Sequence, residues 1–187
     1  MATISFRPLC EDDFFMLWRW LAEPHVVEGW GAPLDLEGVR AKYGPRVAGS
    51  DPKRVFVIEY DGKPAGWIQW YRWADFPEHA AQLDAEPEAA GIELALGERG
   101  LTGTGVGSTA IWKFLQQVVF ADPAIVAVVT DPQQGNGRSV RAFQKVGFYV
   151  TKTLQLPGEN FTRSVVRMNR PRTGHTGRLP TVEPRES

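Results

Sequence analysis

The clearest alternation of apolar and polar positions lies in the middle of the chain. Ile92, Leu94 and Leu96 alternate with Glu93 and Ala95, which is the period of a β-strand. After Gly107 the apolar positions recur in steps of three and four, as on one face of a helix. These helical positions are Ile111, Phe114, Leu115, Val118 and Val119. The pattern predicts a strand, a glycine-rich loop and a helix in succession.

The loop has glycine at alternate positions, Gly103, Gly105 and Gly107. Glycine adopts positive φ without strain and lets the backbone approach a ligand closely. The free N–H groups of the loop and of the first helical turn attract an anion, and the helix dipole adds to this. The segment therefore predicts a pyrophosphate site, although by its pattern alone it is equally consistent with a flexible turn. A P-loop would need Lys after the last glycine, where Ser108 stands, and the spacing is not that of a dinucleotide-binding fingerprint.

The first half of the chain yields two helices and three strands. Residues 4–7 alternate like a strand, and acidic residues 11–13 then open a helix that Pro24 ends. Its predicted apolar face consists of Phe14, Phe15, Leu17, Trp18 and Leu21. We expect a loop over residues 25–31, a helix over 36–43, and strands over 54–60 and 64–73. Asp61-Gly62 between these strands is a strong hairpin signal.

The second half continues the alternation of strands and helices. Residues 126–130 read as a buried strand, and residues 136–148 as a capped short helix that ends at a glycine. Two closing strands are expected over residues 149–156 and 164–168, with a turn at Pro157-Gly158. The remaining residues show no periodicity, and we expect 171–187 to be a disordered tail.

Composition fits one ordinary globular domain, with 187 residues of which 43% are hydrophobic. The net charge of −1 gives no basic field for nucleic acid or for an anionic membrane. A single cysteine excludes an internal disulfide framework and thiolate metal clusters. No apolar run reaches membrane length and no signal peptide is evident, so we expect a cytoplasmic protein without metal, either a monomer or a homodimer.

Acidic residues dominate the stretch from Trp73 to Glu98, which contains no Lys or Arg. A solvated acidic loop is the simple interpretation, and we favour it for Glu86 and Glu88. The same charge, beside an aromatic-rich strand, would also raise the local concentration of a polycationic substrate. The stretch argues against an acidic substrate.

Two of these stretches together resemble the GNAT family of acyl-CoA-dependent N-acetyltransferases. Gly105 and Gly107 match the end of that family's Arg/Gln-x-x-Gly-x-Gly/Ala motif, and a second motif is matched by Asn136, Phe143, Gly147 and Phe148. The chain is more similar still to the aminoglycoside 6′-N-acetyltransferases, through residues 17–21 and 25–31 and through Thr130-Asp131-Pro132. The resemblance spans roughly residues 4–169.

The resemblance implies a fold and a reaction. Residues 1–170 would form one GNAT domain of the α/β (α+β) class, with a mixed, mostly antiparallel sheet, splayed around acetyl-CoA and flanked by helices on both faces. The reaction would be direct acetyl transfer from acetyl-CoA to the 6′-amine of an aminoglycoside, without an acyl-enzyme.

The resemblance also assigns residues. Glu93 would act as the base or would position the amine, and Asp131 would bind substrate amines. Further substrate contacts would come from Trp30, Glu28, Tyr71 and Asp84. The cofactor would contact Leu94, Ala95, Leu96, Thr102, Gly103, Thr104, Gly105, Val106, Gly107, Ser108, Asn136 and Phe143.

The chain departs from the family pattern at two positions. Thr102 stands where Arg or Gln is usual, which weakens a side-chain contact to phosphate. Phe143 stands where many relatives have the tyrosine that protonates the leaving thiolate. Either the thiolate leaves without a dedicated acid or another group, such as Tyr149, replaces that tyrosine.

Other functions remain open at this stage. Siderophore-type lysine N-acyltransferases typically carry a histidine at the position of Glu93, which tells against them. A protein N-acetyltransferase would use the acidic, aromatic cleft to bind a basic peptide. A non-catalytic acyl-CoA-binding regulatory domain is a more distant alternative, supported by the missing tyrosine.

Overall fold

A twisted sheet of seven strands forms the centre of the computed structural model, which describes residues 3–171. The strand order is β1-β2-β3-β4-β5-β7-β6, and β4–β5 is the parallel pair in an otherwise antiparallel sheet. The strands are β1 (Ile4–Pro8), β2 (Arg54–Tyr60), β3 (Lys63–Arg72), β4 (Ala89–Leu96), β5 (Ala127–Thr130), β6 (Tyr149–Leu154) and β7 (Arg163–Asn169).

Within residues 3–171, six α-helices cover the two faces of this sheet. They are α1 (Phe14–Leu21), α2 (Pro24–Trp30), α3 (Leu36–Ala48), α4 (Pro77–Leu83), α5 (Val106–Phe114) and α6 (Gly137–Val146). A π-helical turn, Leu115–Val119, extends α5, and 3₁₀ turns occupy Glu11–Asp13, Trp73–Asp75 and Arg99–Leu101.

Alternation along the strands divides the core between the two faces. Ile68, Ile92 and Val128 point to one face and pack with α5 and α6. Trp67 points to the other face and packs with α1, α2 and α3. Farther along that second face, Trp73 packs with α4. This second face is called the Glu93 face below, because β4 directs Glu93 to it.

The parallel pair at the centre of the sheet is short. Its ladder contains two pairs of residues, Ala89 with Ala127 and Ala90 with Val128. Beyond this ladder a side-chain contact replaces the backbone ladder, since the Thr130 hydroxyl donates to the carbonyl of Ile92 at 2.8 Å. Among the strands of residues 3–171, the rest of β4, up to Leu96, pairs with β3 alone. The two central strands therefore separate toward their carboxyl ends.

Much of the predicted architecture is confirmed. The sheet is mixed and mostly antiparallel, with helices on both faces and a splay between its central strands. Asp61 and Gly62 both have positive φ, 49° and 73°, as the tight hairpin between β2 and β3 requires. Helix α6 is capped at its start by Asn136, whose side chain accepts from Ser139 N–H, and at its end by Gly147 with φ 107°.

Three local predictions are wrong. Residues 25–30 are helical, not a loop, because Pro24 occupies the first turn of α2, where its missing N–H costs nothing. Helix α3 continues past Tyr43 and ends before Gly49, with Pro45 inside it. Phe15 is 58% exposed, and the buried positions of α1 include Trp20 instead.

Two further predictions concern membrane-spanning segments and the C-terminal tail. Within residues 3–171, no helix has the length and apolar character needed to cross a membrane. The expectation of a disordered tail over 171–187 falls, apart from its first residue, outside the described residues.

The close contact between β3 and β4 provides a stability test. A Cβ on Gly66 would lie 2.2 Å from the carbonyl oxygen of Ala95. Because that oxygen belongs to a strand in the middle of the sheet, Gly66→Ala should lower the free energy of unfolding by about 2–4 kcal/mol. Denaturant unfolding measures this loss.

Gly44 is the matched control. It lies within α3, and a Cβ there meets no atom within 4 Å. Gly44→Ala should leave stability unchanged or raise it by up to about 1 kcal/mol. Equal effects at both glycines would contradict the tight strand contact.

Candidate active site

A cavity of about 690 Å³ lies where β4 and β5 separate. It is lined by most of the residues expected to contact a cofactor: Leu94, Ala95, Leu96, Thr102, Gly103, Thr104, Gly105, Gly107, Ser108 and Asn136. Trp30 and Ala95, which pack with the core of the Glu93 face, also line it. The cavity therefore extends from the α5 and α6 side of the sheet toward the Glu93 face.

The free edge of β4 forms one wall of this cavity. The carbonyl of Ile92 accepts from Thr130, and the carbonyl of Leu96 is bonded to His25 Nε2 at 2.8 Å. Because backbone groups of alternate residues point the same way along a strand, the N–H and C=O of Leu94 face the gap between them. This edge can hydrogen-bond an extended amide chain, as a further strand would. His25, at the start of α2, fixes the Leu96 end of this edge and so has a structural role.

The glycine loop forms a second wall with free donors. Gly103 and Gly105 have φ of 80° and 91°. Within residues 3–171, no acceptor is bonded to the backbone N–H groups of 103–108. The hydroxyls of Thr102 and Thr104 donate to loop carbonyls at 2.8 and 2.7 Å, which stiffens the loop. The arrangement suits a phosphate group, which the backbone N–H groups would bind while the hydroxyls hold the loop's shape.

Helix α6 adds positive charge that the sequence reasoning missed. Arg138, Arg141 and Lys145 all line the cavity. Their spacing of three and four residues places them on one face of the helix, so this signal was present in the sequence. Asn136 also faces the cavity, and its Oδ1 is engaged in capping α6, which leaves its amide nitrogen for a ligand.

Two predicted cofactor contacts lie elsewhere. The side chains of Phe143 and Val106 are 2% and 7% exposed and belong to the core under α5 and α6. Phe143 packs edge-on against Phe148 at 5.1 Å. The prediction that Phe143 contacts the cofactor is wrong, because its ring belongs to the apolar side of α6. Val106 could contribute its backbone N–H alone.

A polar band crosses the Glu93 face between the two apolar clusters. Gln69 and Glu93 are directly opposite each other in the β3–β4 ladder. Glu93 accepts from Lys53 Nζ at 3.0 Å and from the Tyr71 hydroxyl at 3.1 Å, both at Oε1. Its other oxygen accepts from the amide of Gln69. Glu93 therefore has three donors from its own chain.

The donors around Glu93 set its charge. Burial disfavours the charged carboxylate, but the Lys53 ammonium and the hydrogen bonds outweigh it and hold the pKa of Glu93 below its ordinary value. Gln69 is fixed in turn by Arg46, which donates to its amide oxygen at 2.8 Å. Burial and the nearby Glu93 carboxylate raise the pKa of Tyr71 well above its ordinary value, so Tyr71 remains a donor.

Asp131 lies on the same face, at the end of β5. It is 7% exposed and contacts His79 Nε2 at 3.2 Å and the Arg163 guanidinium at 3.4 Å. Arg163 also donates to its backbone carbonyl at 3.0 Å. The carboxylate predicted to bind substrate amines already has a cationic partner, and it does not line the cavity.

Two other predicted substrate residues form ion pairs of their own. Glu28 pairs with Arg138 at 3.0 Å, and Asp84 pairs with Lys152 at 2.5 Å. The Asp84 side chain is 76% exposed and does not line the cavity. Glu86 likewise holds Arg167 through two hydrogen bonds. Asp84 and Glu86 of the acidic stretch are thus paired with distant basic residues instead of converging on Glu93.

Comparisons with known proteins agree with this geometry. The profile of the acetyltransferase (GNAT) domain family matches residues 10–156. An aminoglycoside N(6′)-acetyltransferase type 1 from Klebsiella pneumoniae is 29% identical over 158 residues, which cover 83% of this chain and 78% of that protein.

Solved structures show the same similarity. The crystal structure of aminoglycoside acetyltransferase AAC(6′)-Ib with coenzyme A superposes with a TM-score of 0.81 at 27% identity, over 90% of this chain and 95% of that one. The crystal structure of that enzyme with coenzyme A and kanamycin gives 0.80 at 27% identity, with the same coverage.

The fold and the cavity are those of an acyl-CoA-dependent acyltransferase. The chain belongs to the GNAT acetyltransferase family. The resemblance drawn from the two motifs and from the N-terminal segment is thereby confirmed. The cavity fits coenzyme A, since the glycine loop and the basic side chains of α6 line it for the phosphates and the β4 edge lines it for the amide chain.

The glycine loop allows a direct test of cofactor binding. Gly105 precedes α5 with a φ of 91°, which a branched side chain tolerates poorly, and it lines the cavity. Gly105→Val should weaken acetyl-CoA binding by at least about 100-fold, since it strains the loop and fills the approach to its N–H groups. Calorimetric titration with acetyl-CoA measures the loss.

The control is Gly100→Val in the same loop. A Cβ on Gly100 meets no atom within 4 Å, and this residue does not line the cavity. Its affinity for acetyl-CoA should match that of the wild type. Normal affinity in Gly105→Val would refute the phosphate site.

The charge of Glu93 predicts a pH-dependent contribution to stability. Its folded-state pKa lies below the ordinary 4.5, so the ionised carboxylate stabilises the fold. The difference in unfolding free energy between wild type and Glu93→Gln should be fully present above pH 4.5 and be lost as pH falls through the lower folded-state pKa. Denaturant titrations at several pH values measure it.

The exposed Glu88 supplies the comparison. Glu88→Gln should follow the wild-type stability curve over the same pH range. A constant offset between wild type and Glu93→Gln down to the lowest pH would mean that Glu93 carries no stabilising charge.

Proposed function

We propose that this chain is an acetyl-CoA-dependent N-acetyltransferase that modifies the 6′-amine of aminoglycosides, acting in the cytoplasm, where acetyl-CoA is available. The observation that carries the proposal is the position of Glu93. Glu93 immediately precedes the residues of β4 that line the coenzyme A cavity. Its carboxylate lies on the Glu93 face, and Trp30 and Ala95 of that face also line the cavity. The similarity to 6′-acetyltransferases over most of the chain supports the choice of substrate.

Binding of the cofactor would use three groups of residues. The N–H groups of residues 103–108 and the basic side chains of α6 would hold the phosphates. The free edge of β4 at Leu94 and the amide of Asn136 would hold the pantetheine arm. When bound, acetyl-CoA supplies an acetyl thioester, and the chain's own residues supply position and charge.

Glu93 is better suited to position the amine than to accept its proton. An alkyl amine resembles lysine, whose ordinary pKa is about 10.4, and is therefore protonated at neutral pH. Glu93 is ionised and already hydrogen-bonded, and its pKa is lowered, so it attracts an ammonium ion but is a weak base. We propose that it anchors the substrate ammonium beside the β4 edge and that water takes the proton.

The leaving thiolate needs no acid from this chain in our proposal. Phe143 has no proton to give and lies in the core. Tyr149, the other candidate, lies on the edge strand β6, where it is 48% exposed, and does not line the cavity. The ordinary pKa of a thiol, about 8.5, makes the thiolate a fair leaving group.

The experiment that tests the function measures release of coenzyme A thiol with two substrates. One is kanamycin, which bears a 6′-amine, and the other is its analogue with a 6′-hydroxyl. Acetyl-CoA-dependent release with the amine alone would support both the substrate class and the position. Release with neither, in protein that binds acetyl-CoA, would refute the aminoglycoside assignment.

Replacing Glu93 tests its role in that reaction. Glu93→Gln removes the charge that anchors the ammonium and should lower kcat/KM for kanamycin by about 100-fold or more. Acetyl-CoA affinity should remain within about twofold, since Glu93 does not line the cofactor cavity. Steady-state kinetics and calorimetry provide the two values.

The exposed Glu78→Gln serves as the charge-matched control and should retain wild-type kinetics. An unchanged kcat/KM in Glu93→Gln would remove Glu93 from the mechanism.

A further inference from the structure

The carboxylate of Glu93 already holds an alkylammonium ion. Lys53 Nζ lies 3.0 Å from Glu93 Oε1, 4.5 Å from the centre of the Tyr71 ring and 5.5 Å from that of Phe76. A carboxylate with aromatic faces around it is a favourable environment for an ammonium group. We call this arrangement of Glu93, Tyr71 and Phe76 the ammonium box. Its occupant has the same chemistry as the amine that the enzyme acetylates.

Lys53 is the donor to Glu93 that can leave. Gln69 and Tyr71 are 1% and 4% exposed, and both are held within the central strand β3. Lys53 precedes β2, and its backbone N–H is fixed by the side chain of Asp51 at 2.7 Å. Four methylene groups separate this fixed point from the ammonium, so the side chain can rotate away while the backbone stays in place.

The cations around Lys53 disfavour an additional positive charge beside it. Arg46 lies beside Gln69, and burial together with the charge of Arg46 lowers the pKa of Lys42 on the same helix. The carboxylates paired with these cations are Glu93, which holds Lys53 at 3.0 Å, and Asp51, which holds Arg46 at 3.5 Å. A substrate ammonium that entered beside Lys53 would meet a like charge without a free carboxylate.

We propose that Lys53 is a tethered competitor for the ammonium box, which the substrate amine must displace, and that it thereby sets the affinity of the enzyme for amines. The proposal rests on the proposed function, because it takes the substrate to be an amine anchored at Glu93. If the box were free in about one molecule in ten, the apparent affinity for amine would be about tenfold below that of the open box. A polycation displaces Lys53 more easily than a simple monoamine does, because its other amines gain contacts elsewhere.

The kinetic test removes the competitor. Lys53→Met should lower KM for kanamycin about tenfold while kcat changes less than about twofold, since the box opens and Glu93 keeps Gln69 and Tyr71. Lys53→Arg keeps a cation in the box and should retain the wild-type KM. The exposed Lys63→Met removes the same charge from the hairpin and should also leave KM unchanged. A KM in Lys53→Met that is unchanged or higher would overturn the proposal.

A second measurement follows Lys53 directly in the wild-type protein. Heteronuclear NMR detects lysine ammonium groups that are held in hydrogen bonds, and Lys53→Arg assigns the signal. The Lys53 signal should be present in the coenzyme A complex and be lost on addition of 1,4-diaminobutane, whereas sodium chloride at equal ionic strength should leave it in place. A signal that persists with diaminobutane would show that Lys53 is not displaced and would overturn the proposal.

The two measurements also separate this inference from the proposed function. If neither wild type nor Lys53→Met acetylates kanamycin, the aminoglycoside assignment fails. The response of the Lys53 signal to diaminobutane still decides whether the box exchanges its tethered ammonium for a free one.

Discussion

The separation of β4 from β5 is the constraint on which the site depends. Two paired residues on each strand hold the centre of the sheet together, and beyond them the β5-facing edge of β4 has no partner strand in the described part of the chain. Buried backbone groups need partners, and Thr130 and His25 satisfy the carbonyls of Ile92 and Leu96. The groups of Leu94 between them remain for a ligand. The same gap creates the cavity, gives the glycine loop room at its mouth, and connects the two faces of the sheet.

The second constraint is the Glu93 carboxylate, a charge in the middle of an apolar surface. Burying a carboxylate is costly unless it is paired and hydrogen-bonded. On the Glu93 face, Gln69, Tyr71 and Lys53 meet this requirement, and Arg46 fixes Gln69 from α3. The polar band therefore divides the core on this face into two apolar clusters. The result is an ionised carboxylate beside the cofactor cavity, which suits the binding of an ammonium ion and is less suited to the removal of its proton.

Local sequence patterns predict most of the elements, and they fail where one pattern is compatible with two structures. Pro24 was interpreted as a helix end, although proline is equally suited to the first turn of a helix, and α2 begins there. Phe15 was placed on the buried face of α1, although the helix turns Trp20 inward instead. The family motif places Phe143 among the predicted cofactor contacts, but packing against Phe148 keeps its ring in the core. For Trp20 the deciding contacts are with distant residues, since its ring stacks on Trp67 and its indole N–H donates to Glu98.

The sequence by itself determined most of the elements other than α2 and α4, the hairpin at Asp61-Gly62, the glycine-rich loop before α5 and the position of Glu93 on a strand. These features depend on neighbours within a few residues, so spacing and residue type are sufficient to reveal them. Only the tertiary structure decided which charges meet. Lys53 is 40 residues from Glu93, and Arg163 is 32 residues from Asp131, and no local periodicity links such pairs. Electrostatic partnership depends on distance in space, and the sheet brings these side chains together.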